Sequence, residues 1–336
     1  MRKAEYQKYM LHFKEAAGTS RGILTEKETY IIRIWDDEQP EIKGVGECAL
    51  FRGLSKEDCP GYESRLAELC RNIDLVRLEN LGEWSSLRFG VEMALADLSH
   101  GGKGIYFPSA FTAGQQAIEI NGLIWMGDRM TMLQRIEQKL SVGFRCIKLK
   151  IGAIDFESEL SLLKYIRTRF DRTQVELRVD ANGAFSPEDA LEKLEALSEF
   201  DLHSIEQPVK AGQWEVMADL CAHSPVPVAL DEELIGVARM EDKRNLIAAI
   251  HPQYLVLKPA LCGGFAGACE WIGLAQRAGI EWWVTSALES NIGLSALAQW
   301  VATLNNSMPQ GLGTGQLYTN NFPSPVVQEG CVLLYR

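Results

Sequence analysis

RCIKLKI, residues 145–151, is the second of eight β-like segments that recur between about Ile118 and Gly313. They repeat about every 27 residues, the unit length of a compact barrel. The other segments are IEINGLI from 118, VELRVDA from 175, HSIEQP from 203, VPVALDE from 226, YLVLKP from 254, WWVTS from 282 and QGLGT from 310. Helical periodicity lies between them, at 130–140, 157–165, 187–197 and 265–278. This alternation predicts an α/β fold, a (β/α)8-type barrel.

The first hundred residues have a different pattern, typical of an α+β domain. Three strand patterns come before two helical patterns, at 5–13, 27–34, 42–48, 56–72 and 86–99. The glycine-rich stretch Gly101–Gly104 marks the expected boundary. We therefore predict an N-terminal domain over 1–112 and a barrel over 113–317. Residues 318–336 are expected to rejoin the first domain, with a further strand at 326–335.

The composition disfavours several classes of function. A formal charge of −11 without a basic stripe argues against a nucleic-acid partner. The chain has no long apolar run and no signal-peptide pattern, so we expect a cytoplasmic protein without a membrane partner. The eight cysteines lack CxxC or zinc-ligand spacing and are expected to be reduced thiols. A homo-oligomer is compatible with the sequence, which does not set the oligomeric state.

Three acidic residues each follow a β-like segment, about one strand-plus-helix unit apart. Asp180, Glu206 and Asp231 would therefore lie at the same end of three neighbouring parallel strands. Each acid alone could instead cap the next helix, but three in register favour a site for a hard cation. We predict Mg²⁺, with Mn²⁺ as an alternative ion. Zinc is disfavoured because none of the five histidines falls on an inward strand position.

Strand alternation predicts which charged side chains face the barrel mouth. In RCIKLKI the isoleucines and the leucine share one face, and Lys148 and Lys150 share the other. The same alternation turns Arg178 inward with Asp180, and Lys258 inward at the end of YLVLKP. Burial lowers the pKa of an ammonium group, which would make a lysine usable as a general base. A hydrated edge strand for the lysine pair and a solvated loop for Lys258 are the alternatives.

The predicted cation and the flanking lysines indicate a class of reaction. A carboxylate bound to the cation has its α-proton acidified. Lys150 and Lys258 lie on strands to either side of the three acids, so they would address opposite faces of the α-carbon. The pattern predicts proton abstraction from a small-molecule carboxylate, followed by elimination, racemisation or cycloisomerisation. A non-catalytic binding barrel is a remote alternative, because lysines buried beside a metal are costly to keep without use.

The motifs along the chain resemble the enolase superfamily, and within it the muconate-lactonising subgroup. They are Lys-Leu-Lys at 148–150, Val-Asp-Ala-Asn at 179–182, Ile-Glu-Gln-Pro at 205–208, Leu-Asp-Glu at 230–232 and Leu-Lys-Pro at 257–259. The resemblance covers most of the chain and rests on the order and spacing of all five motifs. It implies an enolase-like modified TIM barrel, with the N-terminal α+β domain as a capping domain.

The resemblance also implies a role for each charged residue. The metal ligands would be Asp180, Glu206 and Asp231. Lys150 would be the base, Lys258 would lie on the other face of the substrate, and Lys148 would depress the pKa of Lys150. Asn182 and Glu232 would orient the ligands and Lys258.

Two segments indicate which member of the subgroup this chain resembles. Dipeptide epimerases of the subgroup usually carry an Asp-x-Asp after the eighth strand to hold a substrate ammonium, whereas this chain has Gly-Leu-Gly-Thr at 311–314. That segment and Thr-Ser-Ala-Leu-Glu-Ser at 285–290 resemble the o-succinylbenzoate synthase family. The resemblance implies a hydro-lyase of menaquinone biosynthesis that converts 2-succinyl-6-hydroxy-2,4-cyclohexadiene-1-carboxylate to o-succinylbenzoate. A lysine would abstract the α-proton, and the metal would stabilise the enediolate.

Substrate contacts are expected from the barrel and from capping loops near 18–21 and 51–54. The candidates are Arg178, Ser286, Ser290, Arg21 and Leu54. Arg178 has a second interpretation, as a structural ion-pair partner in the polar interior. Other members of the subgroup remain alternatives because they use the same lysine pair: a racemase or epimerase of an N-acylamino acid or dipeptide, or a cycloisomerase.

Overall fold

The computed structural model describes residues 1–19 and 22–336. Its strands are β1 (Arg2–Thr19), β2 (Gly22–Asp36), β3 (Gly44–Cys48), β4 (Ile118–Glu119), β5 (Gly122–Ile124), β6 (Cys146–Lys150), β7 (Glu176–Asp180), β8 (Ser204–Glu206), β9 (Val228–Leu230), β10 (Tyr254–Leu257), β11 (Glu281–Val284), β12 (Val326–Glu329) and β13 (Val332–Tyr335). Its α-helices are α1 (Tyr62–Arg71), α2 (Ser85–Ser99), α3 (Arg129–Val142), α4 (Phe156–Arg167), α5 (Ala190–Ser198), α6 (Trp214–His223), α7 (Met240–Ile250), α8 (Gly264–Ala278) and α9 (Asn291–Ala302). No helix in these residues is long and apolar enough to cross a membrane.

The N-terminal part is a three-stranded antiparallel sheet, β1–β2–β3, with α1 and α2 packed against it. Glycines allow α2 to approach β3 closely. A Cβ at Gly46 would lie 2.0 Å from the carbonyl oxygen of Gly90, so a larger residue would push the helix away. The α+β prediction for this region is confirmed, although the first helix begins later than its sequence pattern suggested.

The barrel is a parallel sheet in the order β5–β6–β7–β8–β9–β10–β11. Residues 310–311 close it, because Gln310 bridges to Ile120 on one side and Gly311 to Thr285 on the other. The predicted eighth strand is therefore a short bridged segment. Its approach to the neighbouring strand is tight, since a Cβ at Gly311 would lie 2.2 Å from Thr285 Oγ1. The prediction of a (β/α)8-type barrel is confirmed: seven strands and the bridged segment at 310–311 occupy eight positions around the ring.

The C-terminal strands correct one expectation. β13 pairs with β4, with Leu333 opposite Ile118, and β12 pairs only with β13. The segment at 326–335 thus adds to the start of the barrel and not to the N-terminal sheet. The preceding turn does contact that sheet, because Lys14 N donates to Leu317 O at 2.8 Å. The division at residues 112 and 317 stays a prediction.

Apolar residues of the barrel strands form one core with the surrounding helices. Ile147 and Leu149 of β6 and Leu177 and Val179 of β7 are fully buried in this cluster. Each side chain of this size contributes about 2 kcal/mol through removal from water. The alternation that places these residues outward places the charged residues between them inside the ring.

The amino-terminal end of the barrel is filled by a polar and aromatic layer. Arg178 Nε donates to Glu176 at 2.7 Å, its Nη1 donates to Pro309 O at 3.0 Å, and its guanidinium lies 4.2 Å from the centre of the Trp283 ring. The His203 ring lies beside Tyr254, with centroids 4.6 Å apart. This environment supports the interpretation of Arg178 as a structural ion-pair partner.

The pKa of His203 predicts a pH-dependent stability. Burial lowers the pKa of His203 to about 4; it outweighs the opposing charge of Glu176, and Arg178 adds a smaller lowering effect. The folded protein therefore favours the neutral ring, and stability is fully present above pH 6.5 and is lost as the pH falls towards 4. We expect about 2 kcal/mol of this loss by pH 5, and expect His203→Gln to remove it. Urea unfolding of both proteins at pH 7 and pH 5 tests this; an equal loss in the variant would contradict it.

Candidate active site

The three predicted acids lie together at the carboxyl ends of neighbouring strands. Asp180 is the last residue of β7, Glu206 is the last residue of β8, and Asp231 follows β9 directly. Asp180 and Glu206 are paired in the sheet register. All three are almost fully buried. The βα repeat thus concentrates three carboxylates at one end of the ring.

Three lysines bind these carboxylates directly. Lys148 Nζ lies 2.8 Å from Asp180 Oδ2 and also bonds Glu206 Oε2. Lys150 Nζ donates to the same Asp180 oxygen at 2.5 Å. Lys258 Nζ pairs with Asp231 Oδ2. The inward orientation predicted for these lysines therefore brings them into ion pairs with the acids.

Asn182 connects the lysine side of the site with Glu232. Its Oδ1 accepts a hydrogen bond from Lys150 Nζ at 2.8 Å, and its Nδ2 donates to Glu232 Oε1 at 3.0 Å. Its backbone N–H donates to Asp180 Oδ1 at 3.1 Å. The backbone of Asn182 is left-handed, with φ of 45°, a conformation that asparagine adopts more readily than most residues. Asn182 and Glu232 thus lie where orienting residues were expected.

Ion pairing outweighs burial in setting the pKa values of Lys148 and Lys258. Burial alone lowers the pKa of Lys148, but the charges of Asp180 and Glu206 raise it above its usual value. Burial likewise lowers the pKa of Lys258, and Asp231 leads the carboxylates that raise it overall. For Lys148, the expectation that burial would lower the pKa is wrong. Each ammonium sits against a carboxylate, which stabilises the charged form.

The carboxylates are affected in opposite directions. Burial raises the pKa of Asp180, but the charges of Lys148 and Lys150 outweigh it and hold that pKa well below its usual range. For Glu206, burial and the negative charge of Asp180 together raise the pKa well above its usual value. Burial and the Asp180 carboxylate therefore outweigh the opposing charge of Lys148 at Glu206.

The donor chemistry of the three acids fits a hard divalent cation. In residues 1–19 and 22–336 no three His, Cys, Asp or Glu side chains are already arranged around a metal position. Instead, the ammonium groups of Lys148 and Lys258 pair with the three carboxylates and balance part of their negative charge. Within the same residues, Glu206 Oε1 is buried without a hydrogen-bond partner, an acceptor that a cation would satisfy. Carboxylate oxygens are the ligands that Mg²⁺ prefers. The residues that would hold it are Asp180, Glu206 and Asp231.

A cavity opens beside the lysines. Charged and polar side chains, among them Lys148, Lys150, Lys258, Asn182 and Glu232, line its floor. Its other walls are mainly apolar, with Leu123, Trp125 and Leu288 from the barrel and Phe51 and Leu54 from the N-terminal part. A site with charged groups at one end and apolar walls suits a small organic anion.

Only some of the residues predicted to contact the substrate line this cavity. Leu54 and Ser286 line it, and the Ser286 hydroxyl donates to Glu289 Oε2 at 2.5 Å. Ser290 and Arg178 do not line it. The Ser290 hydroxyl caps α9 and donates to a buried carboxylate of β3 at 2.6 Å, while Arg178 fills the opposite end of the barrel. Arg21 lies outside the described residues.

Several residues that line the cavity were not among the candidates from the sequence, and the polar residues Asn121 and Thr314 are two of them. Asn121 and Thr314 contribute polar groups to the cavity wall where the barrel closes. A second polar residue in the mainly apolar segment IEINGLI, two positions after Glu119, was the available signal for Asn121. Thr314 ends the Gly-Leu-Gly-Thr segment, but nothing in its spacing indicated that it faces the cavity.

The chain belongs to the enolase superfamily. The model of the enolase C-terminal domain-like family matches residues 131–334. Among the relatives, the o-succinylbenzoate synthase of Desulfotalea psychrophila is 47% identical over an alignment of 362 residues, covering 98% of this chain and 97% of the relative. The crystal structure of MenC from the same organism has a TM-score of 0.87 at 43% identity and covers 99% of both chains. The expected resemblance to o-succinylbenzoate synthases is confirmed.

More distant relatives have other names. The N-succinylamino acid racemase of Thermus thermophilus is 30% identical over 307 residues, covering 86% of this chain and 79% of the relative. A dipeptide epimerase of Enterococcus faecalis, solved with Mg and the dipeptide L-Leu-L-Tyr, has a TM-score of 0.83 at 20% identity, covering 99% and 96% of the two chains. The latter likeness shows a shared fold.

The predicted cation site can be tested by its effect on stability. A ligand that binds only the folded state stabilises it, so saturating Mg²⁺ should raise the Tm of the protein by about 5 °C. Glu206→Gln removes one charged ligand and should abolish most of that shift. Glu188→Gln, which neutralises an exposed carboxylate, is the matched control and should keep it. Thermal unfolding with EDTA or excess Mg²⁺ measures the difference; an unchanged shift in Glu206→Gln would exclude this ligand set.

Proposed function

We propose that this chain is an o-succinylbenzoate synthase, a hydro-lyase that requires a divalent cation, Mg²⁺ in the first instance. It would convert 2-succinyl-6-hydroxy-2,4-cyclohexadiene-1-carboxylate to o-succinylbenzoate and water. The observation that carries the chemistry is the placement of Lys150 and Lys258 on opposite staves of the barrel, with the three carboxylates between them. The full-length identity to the Desulfotalea enzyme supports the choice of substrate.

The geometry of the ring defines where the reacting carbon would lie. Lys150 ends β6 and Lys258 follows β10, four positions apart in a ring of eight. A substrate whose carboxylate is directed at β7, β8 and β9 would present its α-carbon between the two ammonium groups. A base on one face and a positive charge on the other would then serve the same atom.

Lys150 is proposed as the base. Its Nζ is held by Asp180 and Asn182, so its direction towards the cavity is fixed before substrate binds. In its neutral form it would take the proton from the carbon that bears the carboxylate. The hydroxyl on the adjacent carbon would leave with a proton returned by the same lysine. The proton and the hydroxyl depart as one water molecule, and the ring becomes aromatic.

Lys258 is proposed to stabilise charge without exchanging protons. Its ion pair with Asp231 and the nearby charge of Glu232 raise the pKa of Lys258 and keep the ammonium form. That positive charge faces the carboxylate end of the substrate, where negative charge increases as the proton is removed. The divalent cation, when bound, supplies further positive charge for the same purpose.

The N-terminal domain is proposed to complete the cavity. Phe51 and Leu54 contribute an apolar wall opposite the charged floor. Such a wall excludes water from the charged groups and strengthens their interaction with the substrate. The cyclohexadiene ring offers an apolar surface that matches Leu54 and Trp125, while its carboxylate matches the lysines.

The proposed base gives a direct test. Purified protein with Mg²⁺ should form o-succinylbenzoate from the cyclohexadiene substrate. The loss of diene absorbance measures the rate, and EDTA should stop the reaction. Lys150→Ala should lower kcat by at least about 100-fold, the usual contribution of a general base. Lys164→Ala, on the exposed face of α4, should keep the wild-type rate. Full activity in Lys150→Ala would defeat the mechanism.

A racemase is the second candidate, favoured by the opposed lysines and by the 30% identity to an N-succinylamino acid racemase. The two candidates differ in what happens to the abstracted proton. In D₂O, a racemase would exchange the α-hydrogen of an N-succinylamino acid and invert the carbon, which proton NMR and chiral chromatography detect. We expect rapid dehydration of the cyclohexadiene and slower exchange. Rapid exchange with inversion and no dehydration would replace the proposed function.

A further inference from the structure

The side of the barrel where residues 310–311 close the ring contains two buried polar side chains, each with an oxygen atom that makes no hydrogen bond to the described residues. Asn121 directly precedes β5, and Thr314 follows the bridged segment at 310–311. They are only 4% and 5% exposed, and both line the cavity. Among the residues that the structure describes, neither Oδ1 of Asn121 nor Oγ1 of Thr314 has a hydrogen-bond partner. Buried polar groups are rarely left unpaired, so each one requires a reason.

The same ring geometry locates these residues relative to the reacting end of the substrate. The segment at 310–311 is four positions from β8 in the ring of eight, so it lies opposite the stave that carries Glu206. Lys150 and Lys258 occupy the two positions at right angles to this line. A substrate with its carboxylate at the acids and its α-carbon between the lysines must direct its remaining substituent towards Asn121 and Thr314.

The chemistry of this wall suits a hydrogen-bond acceptor. In the described part of the chain, the unpaired Oδ1 of Asn121 is an acceptor, but a half-turn of the amide exchanges it for the NH₂ group and its two N–H donors; the unpaired Thr314 hydroxyl carries one O–H donor. The glycines at 311 and 313 add no side chain, and Gly313 packs close to the strand start, where a Cβ would lie 3.3 Å from Ile120 Cδ1. No acidic side chain lines this side of the cavity in the described residues; Glu232 is the lining acid and lies on the floor. The wall is therefore neutral and favours a carbonyl or carboxylate over an ammonium group.

We propose that Asn121 and Thr314 form the subsite for the succinyl substituent of the substrate. The carbonyl or carboxylate oxygens of that substituent accept hydrogen bonds from the Asn121 amide and the Thr314 hydroxyl. The subsite rests on the proposed function and adds to it the residues that distinguish a succinyl-bearing carboxylate from one without this group. These residues bind and orient the substrate, and they take no part in proton transfer.

The test separates binding of the tail from binding of the reacting end. The substitutions are Asn121→Leu and Thr314→Val, which preserve approximate size and remove the donors, tested singly and together. The controls are Asn72→Leu and Thr303→Val, the same changes at helix ends outside the cavity. Calorimetry in Mg²⁺ gives the Kd of o-succinylbenzoate and of benzoate, which lacks the tail. Steady-state kinetics gives KM and kcat, and circular dichroism confirms folding.

The expected result is a selective loss. Each cavity variant should raise KM and the Kd of o-succinylbenzoate by about tenfold, with benzoate binding and kcat changed less than about threefold. The controls should match the wild type. Equal weakening of both ligands, or unchanged discrimination, in a folded and active variant would overturn the subsite alone. A wild-type protein that forms no o-succinylbenzoate would overturn the proposed function, and the subsite with it.

Discussion

The buried ion pairs at the carboxyl ends of the strands constrain the rest of the structure. Lys148 binds Asp180 and Glu206 together, and Lys258 binds Asp231. Removing one partner of such a buried pair typically costs about 3 to 5 kcal/mol, because the other charge is left without compensation. The strands must therefore keep the register that brings these residues together. A one-residue slip would turn each charge into the apolar layer under the helices.

Closure of the ring places the charged residues of different strands opposite one another across the cavity. The short segment at 310–311 joins Thr285 to Ile120, so each stave acquires an opposite partner. Lys150 faces Lys258 across the cavity, and the acids face the neutral wall that contains Thr314. In an open sheet with the same strand order, Lys150 would not face Lys258, and the acids would not face Thr314. Proton abstraction, charge stabilisation and recognition of the substituent are thus separated by direction within one cavity.

The N-terminal domain is tied to the barrel by buried polar contacts close to the site. Glu47 of β3 accepts hydrogen bonds from the Ser290 hydroxyl at 2.6 Å and from the Gly293 N–H at 2.9 Å, at the start of α9. A carboxylate at a helix amino terminus also interacts favourably with the helix dipole. These bonds fix the domain that presents Phe51 and Leu54 to the cavity. The fold of the cap and the shape of the substrate site are therefore linked.

The sequence by itself determined the repeat of strands and helices, the acids at 180, 206 and 231, and the inward lysines, because strand alternation and unit length are local properties of the chain. It could not determine that β13 pairs with β4, that Ser290 binds Glu47, or that Asn121 and Thr314 line one wall. Those contacts join residues far apart in the chain, and many pairings satisfy the same local pattern. Ion pairing also reversed the pKa shift that burial alone predicts for Lys258, since an ammonium's neighbours are known only after the ring has closed.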